Sequence, residues 1–577
     1  MNRALTWILL GSLAALVCLS IHLAATRCYQ VDECMELAVA KILASGQAKT
    51  YPGNINLLAF PLAWAVRGAS RSIDFFVSAR FVMVAIFWLN LILIALATGE
   101  RLFSRRGLVA LAGAATLAPL WDYGFEIRHD NLLLTGMLLM WLTVRVHPRG
   151  LLSYLIAGGL TVAMQFAAHK AFVYTVPLSL AILAFPPPAH KAPRWRLALA
   201  WAVGAVATIL ALRLAYGACG AAGIWEARKQ GFDFVSQVAT SGDRFGPGLA
   251  LVRLLHQTPL LLALLAPALV AVAADLRRRG RAALTWEGSL PEALLFAGAF
   301  AVLVVNPTPF VYNLLHLVPY AFLFAFRYAA GLSREILDCP KLLPLAGALL
   351  VFVHLGPFEI ATRKLLDWPN ARQACLMSLA EDLTDPLKDP VLDGVGMVLT
   401  RPAVDPRLLL HSLTFENSFK GGGPPVRNML TARPAAVFIP NYRTDWLPDK
   451  DLTFIRECYV PLADDFWVLG KMLPAGGATF EIVHPGRYRI SSLQESDLAE
   501  TCRVGVGRLG ARLDEGSFTA TLDGVPVSTR PVELTAGRHR IECTPDCQPA
   551  VVWVGPQRDR AGRLSQSDHR ALFVNLW

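Results

Sequence analysis

Charged residues are scarce in this sequence. Asp, Glu, Lys and Arg make up 17% of its 577 residues, against roughly 25% in soluble globular proteins. Hydrophobic residues, in contrast, make up 54%. This composition excludes a disordered chain and an ordinary soluble enzyme, and it predicts a polytopic membrane protein. A glycine-rich phosphate loop of the Walker type is also missing, so the sequence gives no indication of a P-loop nucleotide site.

The positive charge is confined to the apolar part of the chain. Residues 1–358 contain 29 Lys and Arg against 16 Asp and Glu, a net charge of +13, whereas residues 359–577 contain 25 against 27, a net charge of −2. Basic residues between apolar helices are what the positive-inside rule produces. The overall charge of +11 therefore indicates membrane orientation, and no nucleic-acid partner is expected.

Long apolar runs recur through the first 358 residues. A helix needs about 20 apolar residues to cross a bilayer. Eleven segments are candidates, some of them short: 4–24, 77–98, 107–121, 131–146, 151–168, 170–185, 197–217, 251–274, 291–305, 310–328 and 342–358. Only Arg3 precedes the first segment as a positive region, and no clean cleavage site lies before Arg27, which favours a signal anchor over a signal peptide.

The Lys and Arg residues also predict the topology. With a cytoplasmic N-terminus, basic loops such as the one containing Arg277, Arg278 and Arg279 lie in the cytoplasm. An odd number of spans then places the C-terminal residues outside the membrane, which in a bacterium is the periplasm. We expect a multi-pass protein of the bacterial inner membrane, with a transmembrane domain over 1–358 and a first periplasmic loop over 25–76.

Residues 359–577 contain no apolar run of spanning length. Over 359–474, short helical and strand-like pieces alternate with Pro-rich and Gly-rich stretches, which indicates a mixed α/β segment. From 475 onwards, apolar residues tend to alternate between turn signals, as in 517-SFTATLDGVPV-527, and this pattern predicts a β-sandwich. The expected fold class is therefore a polytopic α-helical membrane protein with a C-terminal periplasmic α/β plus β-sandwich portion.

Cysteines on the predicted outer side leave two alternatives open. Cys28 and Cys34 in the first loop, and Cys543 and Cys547 around a Pro-Asp turn, are close enough in sequence to form disulfides in an oxidising compartment. Reduced thiols are an equal alternative. A zinc site is disfavoured, because the CxxxC spacing has no second ligand pair.

The predicted topology brings several polar segments to the outer membrane surface. Charged residues at such positions are candidate functional residues, because placing a charge near lipid is costly. A carboxylate beside basic residues suits transfer from a phosphate-linked centre, because it accepts the proton of an acceptor hydroxyl while Arg and Lys neutralise the departing phosphate. Each residue also has a structural explanation, such as an ion pair or a core histidine, and only their conjunction favours a site. The candidates are Asp32, Glu33, Lys49, Arg128, Asp130, His169, Lys170, Tyr312 and His316.

This ordered set resembles the GT-C class of membrane glycosyltransferases, in particular its protein O-mannosyltransferase-like and aminoarabinose-transferase-like branch. In that branch an acidic pair follows the first span, as in 27-RCYQVDECMELAVAKILASGQAKTYPG-53. An Arg-x-Asp motif begins the fourth span, which 127-IRHDNLLLTGMLL-139 matches. A Lys follows the fifth span, as in 169-HKAFVYTVPLSLAI-182, and a Tyr and a Pro mark a later one, as in 312-YNLLHLVPYAFL-323. The resemblance covers roughly residues 1–330.

The resemblance implies a GT-C fold and a polyprenyl-phosphate sugar donor taken from the membrane lipids, with a glycan, lipid or protein acceptor on the periplasmic side. It implies Asp32 as general base, with Glu33 positioning a sugar. Arg128, His169, Lys170 and Tyr312 would bind the donor phosphate, Asp130 would orient Arg128, and His316 would line the same groove.

Two points stay open in this resemblance. Relatives often have a His or Lys before a Pro in the first loop, which 54-NINLLAFP-61 lacks, and Lys49 is the available substitute. Some GT-C enzymes use a divalent ion and others do not, so no cofactor is implied with certainty and a divalent metal remains an alternative.

Two other classes of protein are alternatives for this sequence. A transporter or flippase would also be basic and polytopic, but it should contain charges near mid-span and often internal repeats. Here most acidic residues lie at span ends, and Arg80 and Arg213 are partial exceptions. If the protein were a non-catalytic factor for surface-polysaccharide assembly, the charged residues around Asp32 would have no chemical role.

Overall fold

The structure is a computed structural model. It describes residues 2–46, 48, 55–146, 149–168, 170–184, 192–220, 247–280, 290–306, 310–338, 358–364, 369–405, 425–463, 465–492, 519–527, 530–554 and 572–573. The chain forms two compact units. The helical unit consists of Met1–Ala25, Val39–Arg67 and Ser78–Asp367, and the C-terminal unit consists of Thr26–Ala38, Gly68–Val77 and Trp368–Trp577.

Helices dominate the described residues as far as position 338. They are α1 (Asn2–Thr26), α2 (Val31–Ala44), α3 (Ala59–Ala65), α4 (Ser72–Ala97), α5 (Arg105–Ala114), α6 (Ala118–Tyr123), α7 (His129–Trp141), α8 (Leu151–Ala167), α9 (Ala171–Ala184), α10 (Arg194–Ala218), α11 (Gly248–Gln257), α12 (Pro259–Arg279), α13 (Leu290–Val305) and α14 (Leu314–Asp338). A π-helix (Leu142–Val146) follows α7, and a 3-10 turn (Val311–Asn313) precedes α14.

Three described helices are long and apolar enough to cross a membrane: Thr6–Thr26, Ser72–Ala97 and Arg194–Ala218. Two predicted spans are interrupted instead. Residues 107–121 divide into α5 and α6, and residues 251–274 divide into α11 and α12. Both second helices have a Pro in their first positions, where the missing amide cannot continue a preceding helix. The count of eleven spans stays a prediction, and 342–357 of the last one lies outside the described residues.

Helices α8 and α10 approach each other so closely that their backbones are in contact. A Cβ atom on Gly158 would lie 1.9 Å from the carbonyl oxygen of Trp201, and one on Gly204 would lie 1.9 Å from that of Leu155. Only glycine fits at either position. Small residues at the interface are how helices associate in lipid, where the hydrophobic effect does not draw them together.

The C-terminal unit contains two sheets and three helices among its described residues. The helices are α15 (Ala371–Leu383), α16 (Val426–Ala432) and α17 (Asp449–Cys458); the strands are β1 (Val391–Leu392), β2 (Val437–Phe438), β3 (Tyr459–Ala463), β4 (Phe466–Met472), β5 (Gly477–Ile482), β6 (Gly486–Ser492), β7 (Ala520–Leu522), β8 (Val525–Pro526), β9 (Val532–Leu534), β10 (Gly537–Cys543) and β11 (Pro549–Trp553).

The larger sheet has the order β1-β2-β4-β11-β6-β9, with β3 also paired to β4, and the smaller sheet has the order β5-β10-β7-β8. One parallel pair, β1 with β2, occurs among antiparallel pairs. The two sheets share a buried cluster that includes Phe480 and Ile541 from the smaller sheet and Tyr488 and Val551 from the larger one. The sequence-based expectation of a helical portion followed by a sheet-rich C-terminal portion is confirmed.

The first loop is divided between the two units. Within the C-terminal unit, Gln373 on α15 accepts a hydrogen bond from the backbone N–H of Tyr29 at 2.6 Å and donates one to the Tyr29 carbonyl at 2.9 Å. Within the helical unit, Tyr216 on α10 donates to the carbonyl of Ile55 at 3.0 Å, and Leu57 N donates to Phe166 O at 2.9 Å. The segment that begins α2 is therefore a structural part of the C-terminal unit.

The described cysteines are reduced. Cys34 donates to the carbonyl of Gln30, and Gln30 donates to the sulfur of Cys28. Cys543 donates to the carbonyl of Cys547 at 3.2 Å. The sequence left disulfides and thiols open as alternatives, and the structure has thiols at Cys28 and Cys34 and at Cys543 and Cys547. Cys502 lies outside the described residues.

Candidate active site

Side-chain hydrogen bonds to backbone carbonyls hold the turn before α7. Asn131 donates to the carbonyls of Tyr123 and Glu126, at 3.0 and 3.3 Å. Trp121 donates to the carbonyl of Ala115 at 2.7 Å. Arg128, the last residue before α7, has an extended backbone with φ −140° and ψ 133°. The turn therefore presents Arg128 and Asp130 in one defined arrangement.

Asp130 is the centre of a buried ion cluster in the helical unit. Its side chain is completely buried, Lys170 Nζ lies 2.5 Å from its Oδ1, and Arg128 Nε donates to its Oδ2 at 3.3 Å. Asp130 occupies the first turn of α7, where the positive end of the helix dipole also favours a carboxylate. Two cations therefore contact the same buried carboxylate.

The aromatic ring of Tyr312 covers both cations. Arg128 Cζ lies 4.0 Å from the ring centroid and Lys170 Nζ lies 4.4 Å from it. The ring of Phe310 stacks on that of Tyr312, with the ring centroids 5.2 Å apart. Cations over an aromatic face gain about 0.5–2 kcal/mol, depending on their desolvation. Tyr312 is therefore placed to fix the directions of both cationic side chains.

His316 lies on the buried side of the same cluster. It is completely buried, its Nε2 is 3.4 Å from Asp130 Oδ1, and the ring of Tyr174 lies 4.8 Å from its ring. The sequence allowed His316 to be a core histidine or a residue that lines the site. In the structure it is buried in the core and also contacts Asp130. Together, Arg128, Asp130, Lys170, Tyr312 and His316 are called the Asp130 cluster below.

Asp32 and Glu33 lie in the first turn of α2, within the C-terminal unit. Glu33 is completely buried and accepts the backbone N–H of Gln30 at 2.7 Å, a bond that fixes the start of the helix in the manner of a capping box. Asp32 is half-buried. Burial raises the pKa of Tyr442 against the lowering effect of Arg443, and the charges of Asp32 and Cys34 add to the rise.

The other predicted site residues and the predicted alternative of a metal ion add little to this description. Lys49 and His169 lie outside the described residues. No group of three His, Cys, Asp or Glu side chains in the described ranges is arranged to hold a metal ion. The Asp130 carboxylate is itself saturated by Lys170 and Arg128, so it is a poor ligand for a divalent cation.

Sequence reasoning missed two residues, one in each unit. Asn313 accepts a hydrogen bond from Lys170 Nζ at 2.9 Å, and its position beside Tyr312 in the quoted motif was the available signal. Arg443 is 8% exposed and its guanidinium lies 4.2 Å from the ring of Trp446. Nothing in the sequence marked Arg443, because it lies in the C-terminal portion, for which the family resemblance gave no motif.

Comparison with known proteins identifies the fold. No protein-family model and no curated protein matches the sequence. Among solved structures, the chain is similar to ArnT from Cupriavidus metallidurans in the apo state, with a TM-score of 0.53 at 14% sequence identity. The match covers 81% of this chain and 98% of that one. The chain therefore has the fold of ArnT, a GT-C fold, and at this identity the likeness concerns the fold alone.

Proposed function

We propose that this chain is a GT-C membrane glycosyltransferase of the bacterial inner membrane, which transfers a sugar from a polyprenyl-phosphate donor to an acceptor on the periplasmic side. The observation that carries the proposal is the Asp130 cluster on an ArnT-like fold. Its two neighbouring cations and the partial exposure of Lys170 (23% of the side chain) suit the phosphate of a lipid-linked donor.

The proposed reaction divides the tasks among these residues. Asp32 accepts the proton of an acceptor hydroxyl as its oxygen attacks the anomeric carbon of the donor sugar. The bond between that carbon and the phosphate oxygen breaks, and the polyprenyl phosphate departs with the electron pair. Lys170 and Arg128 stabilise the negative charge on the departing phosphate. Lys49 and His169 are further candidates for phosphate contacts.

The supporting residues hold this arrangement. Asp130 keeps the two cations close together, and Tyr312 covers them. Glu33, which fixes the start of α2, orients Asp32 through the helix and in this way helps to position the acceptor or donor sugar. If the acceptor nucleophile is already ionised, Asp32 does not need to remove a proton.

The test is sugar transfer by purified protein in reconstituted membranes. We would supply polyprenyl-phosphate-linked sugars with a cell-envelope extract and measure the release of polyprenyl phosphate. Asp32→Asn should reduce transfer by roughly 10²–10⁴-fold, the usual contribution of a general base. Glu36→Gln, one turn further along α2, is the matched control and should retain transfer. Normal transfer by Asp32→Asn would overturn the general-base role, and no release by the wild type with any such donor would overturn the proposed function.

A further inference from the structure

A second buried ion pair lies beside the Asp130 cluster in the helical unit. Lys364 Nζ is 2.7 Å from Asp122 Oδ1, and the side chain of Lys364 is only 2% exposed. The same ammonium donates to the carbonyls of Asp122 and Trp121, at 2.9 and 3.4 Å. These carbonyls belong to the last turn of α6, where a cation is favoured by the helix dipole.

The other oxygen of Asp122 binds a third chain segment. Gln257 Nε2 donates to Asp122 Oδ2 at 2.5 Å. Gln257 is the last residue of α11, and the next helix, α12, begins two residues later at Pro259. One carboxylate thus joins three segments that are distant in sequence: α6, the end of α11, and residues 358–364. The set of Asp122, Gln257 and Lys364 is called the Asp122 cluster.

The residue after Asp122 connects this cluster to the Asp130 cluster. The ring of Tyr123 lies 6.4 Å from that of Tyr312, at an interplanar angle of 72°, an edge-to-face contact. Helix α11 and α6 both pack against the 3-10 turn that carries Tyr312. Tyr123 is 7% exposed, so its position depends on how α6 is held.

We propose that Asp122 is a positioning residue, which ties α6 to α11 and to Lys364 and thereby holds Tyr123 against Tyr312, the ring that orients Arg128 and Lys170. Asp122 itself touches no reacting atom. This inference rests on the proposed function only where donor binding is used as the measurement.

The experiment compares Asp122→Ala, Asp122→Asn, Lys364→Ala and the double variant with wild type in nanodiscs. Binding of undecaprenyl phosphate and thermal unfolding are both measured. Arg363→Ala is the matched control, because Arg363 is the neighbouring cation but its side chain is 55% exposed. We expect Asp122→Ala to weaken binding at least tenfold in the folded protein. Asp122→Asn should recover part of this loss, because its amide oxygen still accepts from Gln257, and Arg363→Ala should have no effect.

The two alanine substitutions should also be non-additive, because the pair acts as a unit. A lower unfolding temperature with unchanged binding by the folded fraction would overturn the positioning role. If wild type does not bind undecaprenyl phosphate, the proposed function fails and the inference is judged by amide hydrogen exchange over residues 119–127. Faster exchange in Asp122→Ala but not in Arg363→Ala then supports it, and equal exchange in both overturns it.

Discussion

The two compact units hold their candidate site residues by different means. In the helical unit, the Asp130 cluster consists of buried charges that satisfy one another, with Lys170 and Arg128 on the two oxygens of one carboxylate. In the C-terminal unit, Asp32 is half-buried, and its segment is anchored through neighbouring backbone groups such as those of Tyr29 and Gln30. The comparison suggests that Asp130 contributes to both stability and activity, whereas Asp32 contributes mainly to activity.

The sharpest test of this comparison is the pair Asp130→Asn and Asp32→Asn. Removing the charge of Asp130 leaves Lys170 and Arg128 facing each other without compensation, which for a buried pair costs about 3–5 kcal/mol. We expect both variants to lose sugar transfer, but only Asp130→Asn to unfold at a markedly lower temperature. Equal stability of the two proteins in thermal unfolding would contradict the distinction.

A second test asks what holds residues 68–77 within the C-terminal unit. Glu381 Oε1 accepts hydrogen bonds from Ser72 N at 2.7 Å and from the hydroxyls of Ser72 and Thr400, each at 2.6 Å. Glu381→Ala leaves buried donors unpaired, at a cost of about 1–3 kcal/mol or more. The measurement is hydrogen exchange over residues 68–77, together with thermal unfolding.

The neighbouring Asp382 provides the control for that test. It pairs with Arg71, whose side chain is 52% exposed, at 3.5 Å, and exposed pairs contribute only about 0–1 kcal/mol. Asp382→Asn should therefore behave like wild type. If it exposed residues 68–77 as strongly as Glu381→Ala, the anchoring role of Glu381 would be refuted.

Tyr312 tests whether the cations in the helical unit need an aromatic cover. Tyr312→Phe keeps the ring, whereas Tyr312→Leu removes it and the roughly 0.5–2 kcal/mol that each covered cation gains. We expect Tyr312→Leu to weaken binding of undecaprenyl phosphate about tenfold and Tyr312→Phe to have a smaller effect. Equal losses in both variants would indicate that the hydroxyl group, through a bond to the phosphate, is what matters.

The smallest expected effect lies in the C-terminal unit and concerns pH. Partial burial lowers the pKa of His539, but hydrogen bonds to Asp523, at 2.8 Å, and to the Thr535 carbonyl raise it overall. The hydrogen bond from His539 also lowers the pKa of Asp523. Asp523 is half-exposed, so the pair contributes no more than about 1 kcal/mol.

The sign of each shift defines the pH window. Because the folded pKa of His539 is raised, its contribution is complete below the unfolded value of about 6.5 and is lost as pH rises through the folded value. Because that of Asp523 is lowered, its contribution is present above about 3.9 and is lost as pH falls through the folded value. NMR titration of labelled histidines, with His539→Gln to assign the signal, should show a raised pKa that returns to normal in Asp523→Asn. An unshifted titration would contradict the pairing.

Several residues of the Asp130 cluster were predictable as neighbours, because local sequence carried their signal. Arg128 and Asp130 stand at the start of an apolar helix, and Lys170 stands between two others, so a topology argument places them at span ends. The structure brings them together with Tyr312 and His316. The Asp122 cluster was not predictable, because its partners are far apart in sequence. Lys364 and Asp122, for example, are 242 positions apart.

The helical character of the first part, the strands of the last part and the positions of most helices could be predicted from the sequence, because hydropathy and periodicity are local properties of the chain. Long-range folding, in contrast, divides the first loop between two units and brings two cations from separate segments to one carboxylate. These features depend on which distant segments meet, and contact between such segments leaves no periodic trace in a single sequence.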